Sequence, residues 1–249
     1  MHEIYQRLKQ KALELAEKIP QPVFYRRFKK EIDTSRALLT SNSLLRQCIN
    51  HFCIEQEGLG HGYNHCFSVA VDAGAIVLIE TKGVYKKYKN SVEEIVTAVH
   101  IAGLLHDARR DEEDHAVAGS KLAEKVLDCF GIDDKYKEHI VIAIRNHEAF
   151  KEGDPVRDEV GRLISDALYD ADKFRWGIDN FTTTVWEMLN YSNTTPQEFF
   201  ENYKKGMEYI ERIKDTFRTE TGKKYGPEII DAGLSIGRII YEELKRELS

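Results

Sequence analysis

His106 and Asp107 stand side by side in this chain, and four more imidazole or carboxylate residues occur in comparable settings: His65, His115, His147 and Asp172. Each sits at or near the end of a stripe of apolar residues at helical spacing. Ile95, Val99, Ala102 and His106 share one helix face, as do Tyr136, Ile140, Ala143 and His147, and again Ile164, Leu168 and Asp172. His115 opens a stripe with Ala118, Gly119, Leu122 and Val126, and His65 opens one with Val69, Asp72 and Ile76. Polar ligands are thus delivered to buried surfaces, where an imidazole or carboxylate without a partner is costly. One cation held between several helices satisfies them together. Nitrogen and carboxylate donors without thiolates suit Mn, Fe, Co, Ni, Zn or Mg. Such an ion lowers the pKa of water and polarises an ester or phosphoryl group.

Adjacent residues of a regular helix diverge by about 100°, so His106 and Asp107 share an ion only where their helix is ending. The charged run Ala108 to Asp114 suits such an ending. The other elements read as helices too. A first helix carries Ile4, Leu8, Leu15 and Ile19 and stops before Pro20. A basic helical segment follows at 24–30, then helices over 41–54, 65–80, 91–106, 115–130, 134–149, 157–173, 178–190, 196–217 and 226–247. Ser91 with Glu94 forms a capping-box pattern, and Pro196 fits a first turn. Gly58, Gly60 and Gly62 mark one loop, and Gly222 and Gly226 another. No strand pair, repeat or low-complexity tract is evident, and the expected class is all-α.

The 249 residues, 42% of them hydrophobic, are enough for one sizeable core. The net charge of −6 argues against a broad face for polymeric nucleic acid but leaves room for a local basic pocket. Cys48, Cys53, Cys66 and Cys129 form no C-x-x-C pair, so reduced thiols are expected. The longest apolar stretch, Ile95 to Leu105, is too short to span a bilayer. With no visible leader, the expectation is a cytoplasmic protein without a membrane partner.

Taken in order, the segments Gly60-His61-Gly62-Tyr63-Asn64-His65, Leu104-Leu105-His106-Asp107 and Asp170-Ala171-Asp172-Lys173-Phe174 resemble the HD-domain superfamily of metal-dependent phosphohydrolases. The resemblance covers about residues 58–180. It implies a compact multi-helix bundle with the metal site at its centre. The lack of long linkers points to one domain over 1–249, with a core at about 58–180, an N-terminal helical lobe at 1–55 and a C-terminal helical pair at 196–249. It implies that His65, His106, Asp107 and Asp172 hold a divalent metal. Two further segments, His115-Ala116-Val117-Ala118-Gly119 and Ile144-Arg145-Asn146-His147, are also similar to the family. They make His115 and His147 candidates for a second metal or for facing substrate. The chain departs from relatives at Asn64, where many carry Asp, and at Arg110, where some nucleotidases carry an acid.

The expected reaction is hydrolysis of a phosphoester or phosphoanhydride of a small, nucleotide-like molecule, with metal-activated water as nucleophile. Asp107, His115 and His147 are the candidates for handling protons. His61, Arg109, Arg110, Lys173 and Arg175 are the candidates for gripping phosphate oxygens. Two other readings remain open at this point: a mixed-valent di-iron oxygenase with the same six ligands, and a nucleotide-sensing module without turnover. Asp170 and Asp72 are candidates for supporting the ligands from behind.

Overall fold

The computed structural model describes residues 2–52, 62–82 and 92–249. Within them the chain forms α1 (Glu3–Ala16), α2 (Val23–Arg27), α3 (Lys29–Ser41), α4 (Ser43–Phe52), α5 (Tyr63–Glu80), α6 (Val92–Leu105), α7 (His115–Leu127), α8 (Asp134–Arg145), α9 (Glu159–Phe174), α10 (Val185–Tyr191), α11 (Pro196–Ile213) and α12 (Glu220–Glu247). There is no strand among the described residues, and the class is all-α as expected. His61 and the Ser91 cap lie outside the described residues.

Two helices are apolar nearly all round. Val69 to Val77 of α5 and Ile95 to Leu105 of α6 are buried almost without interruption, the mark of helices enclosed by others. They pack on each other, with α3 and α9 flanking α5, and α8 and α9 flanking α6. Small residues set their separation. A Cβ on Gly103 would come within 2.7 Å of the Ala70 Cα, and Gly74 leaves room for the His100 ring. Ser35 Oγ donates to the Val71 carbonyl at 2.7 Å, so it must accept from His100 Nε2 at 2.8 Å. Burial pushes His100 down to about 3, which keeps it neutral. That histidine is core, with no part in chemistry.

Three expectations are corrected. The basic segment at 24–30 is two helices, broken at Phe28 (φ −107°, ψ 26°). The stretch 178–190 opens with a widened π turn at Asn180–Thr184 before α10. Gly222 and Gly226 lie inside α12, not in a loop. Their missing side chains explain it: a Cβ on Gly222 would overlap the Asp170 carboxylate, and one on Gly226 the Phe217 ring. Asp170 accepts from the Arg218 and Thr219 amides, both at 2.8 Å, and from the Thr219 hydroxyl at 2.7 Å. Thr219 Oγ1 in turn caps α12 at the Gly222 amide. Asp170 therefore ties α9 to α12 and turns away from the histidines.

Candidate metal centre

The His106–Asp107 pair solves its geometric problem at the end of α6. The helix stops at Leu105, and the amides of Ala108 and Arg110 bond back to Leu105 and Asp107 as a tight turn. Both side chains can then face one point. His65 reaches the same point from the first turn of α5, and Asp172 from the last turn of α9. His65 Nε2 lies 3.2 Å from His106 Nε2, 3.5 Å from Asp107 Oδ2 and 3.4 Å from Asp172 Oδ1. His106 Nε2 lies 3.3 Å from Asp107 Oδ2 and 3.7 Å from Asp172 Oδ1.

These separations fit a shared ion. Ligand atoms about 2.1 Å from a metal and about 90–110° apart sit roughly 3.0–3.4 Å from each other. The ring orientation fits too. His106 Nδ1 donates to the Gly103 carbonyl at 2.8 Å, and His147 Nδ1 to the Ile144 carbonyl at 2.6 Å. With Nδ1–H fixed in this way, Nε2 is the atom of each ring that faces the carboxylates. Lys173 Nζ holds Asp172 Oδ2 at 2.6 Å, which leaves Oδ1 to face the histidines.

Asp107 also faces a second group of donors. Its Oδ1 lies 3.7 Å from His115 Nε2 and 3.5 Å from His147 Nε2, and those nitrogens are 3.3 Å apart. His115 is the first residue of α7. His147 was expected inside a helix reaching 149, but α8 ends at Arg145. There the Asn146 side chain exchanges two hydrogen bonds with the Asp154 backbone and folds the loop back. Arg110 enters this second group: its Nη1 donates to His115 Nε2 at 2.8 Å and stands 3.9 Å from Asp107 Oδ1.

The charges follow from these neighbours. Burial disfavours a charged His106, but Asp107 and Asp172 outweigh it and hold its pKa up at about 10. Burial also works against the Asp172 carboxylate, yet Lys173, His106 and His65 pull it well below the usual range. Burial, then Arg110 and His147, hold His115 down at about 4.

Of the residues singled out from sequence, His65, His106, Asp107, His115, His147, Asp172, Arg110 and Lys173 come together. Lys173 does so through Asp172. Arg109 does not: it is exposed and pairs with Glu112. Arg175 does not either, because Asp72, Tyr25 and Asp179 take its guanidinium. Asp72 is therefore occupied at the Tyr25 hydroxyl and Arg175, two helical turns from His65. Sequence reasoning passed over Glu148, whose Oε1 lies 3.9 Å from His115 Nδ1 and whose other oxygen binds Lys151 at 2.9 Å. Its position beside His147 was the available signal.

No protein-family model matches the chain, and no curated protein matches it. Among solved structures the chain is similar to a predicted HD superfamily hydrolase from an uncultured Thermotogales bacterium. The two share 21% identity over 82% of this chain and 93% of that one, with a TM-score of 0.45. Among the described residues, no helix is long and apolar enough to cross a membrane.

Proposed function

We propose that this protein is a metal-dependent phosphohydrolase of the HD type, acting on a phosphoester or phosphoanhydride of a small nucleotide-like molecule. One observation carries the reading: the Nε2 atoms of His65 and His106, with oxygens of Asp107 and Asp172, converge from three helices at ligand-to-ligand spacing. These four residues hold one divalent ion, of Mn, Fe, Co, Ni, Mg or Zn type. When bound, it supplies a Lewis acid for phosphoryl oxygens and a lowered pKa for water.

The chain's own residues do the rest. Arg110 offers its remaining N–H groups to the phosphoryl oxygens, where a guanidinium matches the spreading negative charge. His115, neutral because its pKa is held at about 4, accepts the Arg110 N–H and keeps that side chain aimed at the cluster. His147 Nε2 takes up and returns a proton, a role supported by its 3.5 Å distance from Asp107 Oδ1. Lys173 positions Asp172.

The Arg110–His115 contact favours one ion over two. The His115 lone pair that a second ion needs is already used, and a guanidinium next to that place repels a cation. This weighs against the di-iron oxygenase reading. The test is elemental analysis of the protein as purified, then a screen of phosphoesters and nucleotides with the metal found. Phosphate release that disappears in His106→Ala supports the proposal. No release from a broad panel, or two irons with an oxygen-sensitive signal, overturns it.

A further inference from the structure

Three aromatic side chains touch one another in a row that begins beside Lys173, the partner of Asp172. Trp176 comes one turn after Asp172, and Phe150 three residues after His147. Tyr209 reaches them from α11, far away in sequence. Its ring centroid lies 5.4 Å from that of Trp176 and 5.0 Å from that of Phe150. The row starts at the cluster itself: Lys173 Nζ, which holds Asp172, lies 5.9 Å from the Trp176 centroid.

Two features separate this row from ordinary core packing. Phe150 and Tyr209 are 45% and 37% exposed, although both are large and apolar. Phe150 also holds a left-handed backbone at φ 63°, which costs an aromatic residue stability and concentrates at ligand sites. Above its ring lies the Arg212 guanidinium, 4.4 Å from the centroid. No carboxylate among the described residues pairs with Arg212, so its N–H edge is open to a ligand.

We infer that Trp176 and Tyr209 form a stacking surface for the heterocyclic base of the phosphorylated substrate, with Phe150, set edge to face on Tyr209 and covered by Arg212, closing one end, and Arg212 at the edge of that base. The phosphate end of this inference rests on the proposed hydrolase reading; the ring end rests on the exposed aromatic row. The occupant is a single small molecule. A row that begins at Lys173, beside the Asp172 carboxylate, and ends at Arg212 matches a planar ring and an anionic group on one molecule. Base–aromatic stacking tolerates any base because every base presents a π face.

Tryptophan fluorescence of the full-length, metal-loaded protein tests this, read by rapid mixing. The other tryptophan, Trp186, is fully buried among Tyr5, Phe199 and the Phe181 carbonyl, so quenching by a ligand reports Trp176. Adenosine 5′-monophosphate is expected to quench and to bind about tenfold or more tighter than ribose 5-phosphate. Tyr209→Ala is expected to bring the two affinities together, and Tyr209→Phe to restore the difference. Equal affinities in the unaltered protein, or a Tyr209→Ala change that weakens both ligands alike, overturn the platform. The two proposals fail separately. Base-dependent binding without phosphate release sinks the hydrolase and keeps the platform, while hydrolysis indifferent to the base does the reverse.

Discussion

Arg110 Nη1 stands 2.8 Å from His115 Nε2, on the side of Asp107 away from His65 and His106. An arginine cannot accept a hydrogen bond, so the imidazole lone pair is committed to it. This sets the expected metal content at one ion per chain. Replacing Arg110 by Ala frees His115 and removes the repulsion, and elemental analysis of Arg110→Ala is expected to give a second ion. Two ions in the unaltered protein would contradict this account.

His106 and Asp107 are the residues whose loss should cost most. In the proposed site His106→Ala removes a ligand, and Asp107→Ala also removes the carboxylate that faces both His115 and His147. Each variant is expected to lose more than about 100-fold in metal affinity, beyond the 10–100-fold typical of groups that only support a ligand. Calorimetric titration with the native metal measures it, and circular dichroism checks that the helices persist.

The metal-free protein should lose stability as pH rises. The folded-state pKa of His106, about 10, lies above its value in an unfolded chain, about 6.5. Its contribution is therefore complete below about pH 6.5 and is lost as pH climbs towards about 10. A bound ion takes the place of that proton. The melting-temperature gap between loaded and chelated protein is thus expected to widen from pH 7 to 9, with metal affinity rising about tenfold per unit. A gap that does not change with pH would show that His106 is not a ligand.

Asp170 and Gly222 form a structural contact between α9 and α12, separate from the chemistry. Gly222→Ala pushes a methyl into the Asp170 carboxylate and is expected to cost about 1–3 kcal/mol, or roughly 2–4 °C of Tm per kcal/mol. Metal content should not change. Thermal melts with parallel elemental analysis check both.

Arg175→Ala should behave as a folding lesion. It leaves the Asp72 carboxylate buried without its cation, at a cost of about 3–5 kcal/mol. The expected signature is a large drop in Tm with KM for a turned-over phosphoester close to that of the unaltered protein. A raised KM with little loss of stability would instead place Arg175 at the substrate.

Helix content was legible from periodicity because burial of one face repeats along the chain: Ile95, Val99, Ala102 and His106 mark an inward stripe whatever packs against it. The six ligand-type residues were legible for the same reason, since each closes or opens such a stripe. Arg109, Arg110, Lys173 and Arg175 could not be sorted this way. All four are cations close in sequence to a ligand, and only the fold decides which neighbour claims each one. Asp72 and Tyr25 take Arg175, Glu112 takes Arg109, Asp172 takes Lys173, and Arg110 turns to His115.

By itself, the sequence determined an all-helical chain with imidazoles and carboxylates at the inward ends of its stripes, because helical spacing is a local property. That four of those groups meet at one point was implied only by resemblance to a known family; the tertiary structure supplied the meeting, at the ends of α5, α6 and α9. It also decided that Asp170 serves a helix cap and that Tyr209 stands beside Trp176 and Phe150. These are contacts between segments distant in sequence, set by how the helices pack. No one-dimensional pattern records them.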